Sequence, residues 1–193
     1  MISHKHKCIF IHIPKTAGTS FSESLDLKKI NRYTHNSFDT IRNFLFDNGF
    51  NTDDYFSFAL VRNPWDKIVS EYFWFTNASH PYPHQSVKDF YAGTSFKSFV
   101  LKFFSCNVGD PYHKLSYLDI LNPISKVDFI GKFENVEKDF NFICKKLGVS
   151  TPLAHEYKTK HKHYTEYYDD EAREIVAEKY AKDIEYFGYE FGG

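Results

Sequence analysis

The chain has 193 residues, 42% of them apolar and 19% aromatic, with 21 Phe, 14 Tyr and 2 Trp against only 9 Gly and 7 Pro. So many rings exclude disorder, collagen-like repeats and low-complexity linkers, and the length suits one domain with a sizeable core. Lys and Arg total 24 against 25 Asp and Glu, a formal charge of −1, which removes the basis for a general polyanion or nucleic-acid binder.

The start, MISHKHKCIFIHIPK, sets basic residues before an apolar run, but His12 interrupts that run. It meets Pro14 and Lys15 rather than a small-residue cleavage site. No segment reaches the roughly 20 apolar residues of a membrane helix, so no transmembrane segment is expected. Cys8, Cys106 and Cys144 lack framework spacing and read as reduced thiols of a cytoplasmic protein. Residues 8–13 predict a strand covered on both faces; Pro14 ends it, and Gly18-Thr19-Ser20 leads into a helix through FSESLDL. A second helix is predicted over 37–46, capped by Ser37 or Asp39, with Gly49 beyond its end.

Phe56–Val61 predicts a second buried strand. Asn63 then caps a helix that carries Pro64 in its first turn and Ile68, Val69, Tyr72 and Phe73 at helical spacing. Residues 77–93, with His80-Pro81-Tyr82-Pro83-His84, read as a long loop, and 95–105 as an aromatic-rich helix. Residues 127–132 predict a third strand. The helix after it puts Val136, Phe140, Ile143, Cys144 and Leu147 on one face, and Gly148 stops it. Residues 150–168 are polar and basic. Asp169 or Asp170 starts a last helix with Ala172, Val176, Tyr180 and Ile184 down one side, and the tail YFGYEFGG is expected to fold its rings back onto the core. Strands alternating with helices, without repeat or linker, predict a single α/β domain over 1–193: a small, largely parallel central sheet flanked by helices.

The strongest local signal is IHIPKTAGTSF, residues 11–21. In an α/β sheet ligands sit beyond the carboxyl ends of the strands, where the next helix directs N–H groups outward. Gly18 allows close backbone approach, Thr16, Thr19 and Ser20 bring hydroxyls, and Lys15 brings a mobile positive charge, a set suited to phosphate or sulfate. The Walker pattern is absent, since the lysine precedes the glycine. The second strand runs into Arg62 rather than into a magnesium-binding acid. Lys15 and Arg62 at adjacent strand ends suit a ligand with two separated anionic groups and no metal. The plainer readings are a turn that merely caps a helix and an Arg62–Asp66 surface ion pair.

HIPKTAGTS, then ALVRNPWDKIVSEYFWF, then IGKFENVEKDFNFICKKLG resemble the sulfotransferases that use 3′-phosphoadenosine 5′-phosphosulfate (PAPS), and within them the carbohydrate O-sulfotransferase branch. The resemblance covers nearly the whole chain and implies the P-loop nucleotide-kinase-like sulfotransferase fold. It implies that residues 14–20 hold the 5′-phosphosulfate, with Lys15 at the bridging oxygen and Thr16, Ala17, Gly18, Thr19 and Ser20 around the phosphate. It maps the 3′-phosphate onto Arg62 and Ser70. It also implies a hydroxyl-bearing acceptor, a glycan or small glycoconjugate, and PAP as product. Glycosaminoglycan-modifying relatives usually carry an anchor and further sequence that this chain lacks, which turns the expectation toward a smaller acceptor.

Transfer to a hydroxyl needs a base that is neutral near pH 7, and His is the natural choice. Of ten His, His35 in NRYTHNS is selected: it lies where chain returns to the sheet's carboxyl edge, in a stretch where the resemblance also implies a catalytic His. Otherwise it is a loop His beside the Ser37 cap. His12 is expected to be packed, His80, His84 and His113 are unranked loop candidates for lining an acceptor cleft, and Glu134 is a fallback base. His4/His6 and His161/His163 lack a third ligand at metal-site spacing. Lys158, Lys160, His161, Lys162 and His163 read equally as a solvated loop or as a lid over 155–168. Two other functions fit parts of the pattern: a PAPS/PAP-binding module without turnover, and a small-molecule phosphotransferase.

Overall fold

Along the chain the elements run β1 (Ile2–Ser3), β2 (Cys8–Ile11), α1 (Gly18–Ser24), α2 (Phe38–Asp47), β3 (Phe56–Val61), α3 (Pro64–Thr76), α4 (Gln85–Tyr91), α5 (Phe96–Ser105), α6 (Tyr117–Ile120), β4 (Phe129–Lys132), α7 (Val136–Leu147), α8 (Asp170–Lys179) and α9 (Ala181–Phe187). The computed structural model describes residues 1–77, 79, 82–154 and 161–193. They group into two units, Met1–Arg62 with Tyr117–Lys158 and Asn63–Ser116 with Thr159–Gly193.

The first unit holds the whole sheet, in the order β1-β2-β3-β4. The β2, β3 and β4 strands are parallel, with Phe10 opposite Phe58 and Ala59 opposite Ile130, and β1 is antiparallel to β2. CIFI and FALV are apolar at every position because both faces are buried. Cys8, Phe10, Phe58 and Leu60 pack with Phe21 and Leu25 from α1 and its end, and with Phe140, Ile143 and Cys144 of α7. Ile9, Ile11, Ala59 and Val61 point the other way and are equally inaccessible. Each Val, Leu, Ile or Phe among them contributes about 1.5–3 kcal/mol of transfer free energy. The result is an α/β fold with a largely parallel sheet flanked by helices, consistent with the sulfotransferase fold.

Two strand boundaries differ from expectation. The predicted strand 8–13 stops at Ile11, because the Ile13 carbonyl accepts the Thr16 hydroxyl at 2.8 Å in the turn that follows. The two-residue β1 is additional. Pairing of Ile2 with Ile9 and Ser3 with Cys8 holds it, together with backbone bonds between Ile2 and Lys28.

The second unit is helical. Asn63 caps α3 as expected, its side-chain Oδ1 accepting from the Trp65 N–H at 3.1 Å, while its Nδ2 donates to the Glu190 carbonyl at 2.9 Å. That second bond ties down the tail, where Phe191 meets Trp65, Tyr164 and Tyr168 edge-on at 5.4–5.6 Å. Residues 85–91 of the predicted long loop are helical (α4), started by His84, whose side chain accepts from the Ser86 N–H. Packing of Tyr91 on Phe75 and Phe99, at 5.2 and 5.1 Å, stabilises that helix. The predicted last helix is two: Tyr180, with φ −111° and ψ 21°, ends α8 and begins α9. Its hydroxyl is tied to Lys67 Nζ at 3.1 Å. Among the described residues no helix is long and apolar enough to cross a membrane.

Candidate active site

The parallel strands β2, β3 and β4 end at Ile11, Val61 and Lys132, and the residues just beyond them build the site. After β2 the chain turns tightly. Lys15 has φ 65° and Ala17 φ 63°, the left-handed region, which costs a residue with a Cβ about 1–2 kcal/mol each. Ala17 is also the N-cap of α1 and makes no side-chain cap bond, at a position where Ser, Thr, Asp or Asn is usual. Left-handed Ala17 followed by helical Gly18 is the backbone arrangement that turns successive N–H groups toward one side and cradles anions. Thr16 between them is fully buried and spends its hydroxyl hydrogen on Ile13, so its backbone N–H is what it has to offer a ligand. Ser20 is buried, Thr19 exposed and Lys15 half-buried.

Arg62, the first residue after β3, braces this turn. Its Nη1 donates to the Lys15 carbonyl at 3.0 Å, and its guanidinium lies 4.1 Å from the centre of the Phe133 ring, which follows β4. The Arg62 carbonyl accepts from the Tyr117 hydroxyl at 2.7 Å. Its side chain is thus buried between loop and ring, and the carbonyl of left-handed Lys15 is held by a buried cation.

Gly18 has a sharper role than the ligand approach inferred from sequence. It is the first residue of α1, and a methyl group on it would stand 1.7 Å from Nε2 of His12. His12 is buried, its ring stacked on Phe10 at 5.4 Å and 18°. The His35 ring lies 4.8 Å from that of His12, tilted by 58°. His35, chosen from sequence by its position and by the resemblance, is therefore one ring away from the start of α1.

The first unit thus brings together Lys15, Thr16, Ala17, Gly18, Thr19, Ser20, Arg62 and His35. Ser70 belongs to the second unit, buried on α3. In that unit His113 is locked in place: Glu71 Oε2 takes its Nδ1 at 2.8 Å, and Lys67 donates to its carbonyl while lying 3.3 Å from Glu71 Oε1. Burial opposes the charge on Lys67, but Tyr180 and Glu71 outweigh it and hold the ammonium above the usual lysine range. His84 serves as a helix cap, and His80 lies outside the described residues. His161 stacks on Phe73 at 5.4 Å and 5°, His163 Nδ1 lies 2.8 Å from the Thr165 hydroxyl, and His4 Nδ1 lies 2.6 Å from the Tyr55 hydroxyl. Glu134 is exposed, as is Lys162, which pairs with Glu166 at 3.3 Å. Residues 155–160 of the expected lid, with Lys158 and Lys160, lie outside the described residues.

Sequence reasoning missed Phe133, Tyr117 and the part played by His12. Two signals were available: Phe10 and His12 are two apart in the run predicted as a strand, hence on one face, and Phe133 leaves β4 as Arg62 leaves β3.

In α/β proteins anionic ligands sit beyond the carboxyl ends of the parallel strands, at the turn into the next helix, and the strained turn after β2 lies at such a place. Comparison with known proteins gives the family. Residues 1–190 match the family described as "Sulfotransferase family", and the chain belongs to it. It is also 31% identical over 105 residues, 52% of this chain and 74% of the relative, to an uncharacterized protein of Archaeoglobus fulgidus. No solved structure matches it significantly.

Proposed function

We propose that the protein transfers a sulfuryl group from PAPS to a hydroxyl of a carbohydrate or small glycoconjugate in the cytoplasm. The observation that carries this reading is the left-handed Lys15–Ala17 turn held by buried Arg62. Backbone strain of this kind persists where the surroundings enforce it, and it clusters at ligand sites. The residues fit the donor: a turn at the start of α1 with a lysine in it for the phosphosulfate, and the Arg62 guanidinium for the 3′-phosphate. The free thiols of Cys8, Cys106 and Cys144 agree with a reducing compartment.

PAPS supplies, when bound, a sulfuryl group joined to the 5′-phosphate through one bridging oxygen. The N–H groups of Thr16, Ala17, Gly18, Thr19 and Ser20 hold the phosphate. The Lys15 ammonium acts at the bridging oxygen, where negative charge grows only as the S–O bond breaks, so its stabilisation is largest in the transition state. His35 removes the acceptor's proton, and no metal is required of these residues. The experiment is transfer of radiolabelled sulfate from PAPS to a panel of mono- and oligosaccharides, beside calorimetry with PAP. Transfer with PAP binding is the expected result. PAP binding without transfer to any acceptor would make the protein a binding module, and magnesium-dependent use of ATP would make it a phosphotransferase.

A further inference from the structure

We propose that His12 is a positioning residue for the base, fixing the imidazole of His35 against the start of α1; this rests on the assignment of His35 above. Residues 29–37 form neither helix nor strand; Asn31, Tyr33 and Asn36 brace the segment by bonding to one another, but none of these bonds sets the plane of the His35 ring. A column of rings stands against that plane. Phe58 stacks on Phe10 at 5.1 Å and 20°, Phe10 on His12 at 5.4 Å and 18°, and His12 meets His35 at 4.8 Å. Phe58 and Phe10 are wholly inaccessible core residues on adjacent parallel strands, so the column is rooted in the most rigid part of the unit.

The ring at position 12 is also limited in size. Its Nε2 edge reaches Gly18 so closely that a Cβ there would overlap it. A six-membered ring reaches further and would collide with the glycine, whereas a smaller aliphatic group would leave His35 without a flat partner. An imidazole is the flat ring that spans from Phe10 to His35 while clearing Gly18. The same side chain therefore touches the first residue of the anion loop's helix and the base. It sets the register between the two parts that the reaction must bring to one sulfur atom, where errors of about 1 Å matter.

The test compares His12→Asn, His35→Ala and the double variant in the full chain, reading PAP release from PAPS with the saccharide panel and PAP affinity by calorimetry. His12→Asn is expected to lower kcat roughly ten- to a hundredfold, as loss of an orienting partner does, with PAP affinity within about threefold of wild type. In the His35→Ala background the same substitution is expected to change kcat no further. An equal loss in both backgrounds, or no loss, overturns the proposal. A crystal structure of His12→Asn decides the question without turnover: a His35 ring displaced by about 1 Å or more supports the proposal, and an unmoved ring overturns it. Should wild type release no PAP from PAPS, the sulfuryl-transfer reading fails, and the ring position still decides whether His12 fixes His35. His12→Ala serves in the same arms if His12→Asn does not fold.

Discussion

Gly18→Ala tests the contact on which the site's geometry turns. The added methyl would lie 1.7, 2.0 and 2.4 Å from Nε2, Cδ2 and Cε1 of His12, well short of the 3.4 Å at which ordinary contact begins. The imidazole has little room to retreat, since Phe10 is stacked on it and Phe58 on Phe10. Forced overpacking costs about 1–3 kcal/mol, and the better helix propensity of alanine returns up to about 1 kcal/mol. The expected net loss is about 1–2 kcal/mol, or roughly 2–8 °C in Tm for a chain of this size. Deleting the obstacle with His12→Ala relieves the clash, so the double variant is expected to exceed the additive stability of the two single variants by about 1–2 kcal/mol. Urea denaturation of wild type, both single variants and the double variant measures all four corners. A Gly18→Ala protein as stable as wild type, or strict additivity, would refute the argument.

Arg62→Ala removes a charge-assisted bond to the Lys15 carbonyl and the stack on Phe133. It is expected to cost about 2–3 kcal/mol in urea melts and to weaken PAP binding at least about tenfold by calorimetry, the range of a lost charged contact; unchanged affinity would remove Arg62 from the phosphate site. Glu71→Ala strips the carboxylate from a wholly buried Lys67 and from His113 Nδ1. Breaking such a pair costs about 3–5 kcal/mol, visible as a large fall in Tm, and a wild-type Tm would show that the network is dispensable. Burial pushes the Cys8 thiol up to about 12. The unfolded chain ionises near pH 9 while the fold keeps its proton, so this contribution is complete below about pH 9 and drains by about 1.4 kcal/mol per pH unit toward 12. Urea melts at pH 8, 9 and 10 are expected to show a flatter alkaline loss in Cys8→Ala than in wild type, and equal slopes would contradict it.

Features set by adjacent residues were legible in the sequence. The apolar runs CIFI of β2 and FALV of β3 announced strands covered on both faces, and Ser37, Asn63 and Asp169 each cap the helix they precede because the cap bond spans only two or three residues. What long-range packing decides was not legible. The β1 strand is too short to show a period and exists through its pairing with β2. The α4 helix sits in a Pro- and His-rich stretch and depends on Phe75 and Phe99 closing over Tyr91. The periodicity through Ala172, Val176, Tyr180 and Ile184 runs straight across a break at Tyr180, whose hydroxyl is tied to a lysine 113 residues earlier. At the site, the anion loop and Arg62 stood out by residue type and position. Left-handed backbone at Lys15 and Ala17 did not, because neither is glycine, and the glycine that is present serves a contact with the residue just beyond β2, six positions before it.

The decisive measurement is a crystal structure of the protein with PAP. The 5′-phosphate is expected on the backbone N–H groups of residues 16–20 beside Lys15, and the 3′-phosphate on Arg62. PAP bound elsewhere, with that turn and Arg62 making no contact to either phosphate, would contradict it.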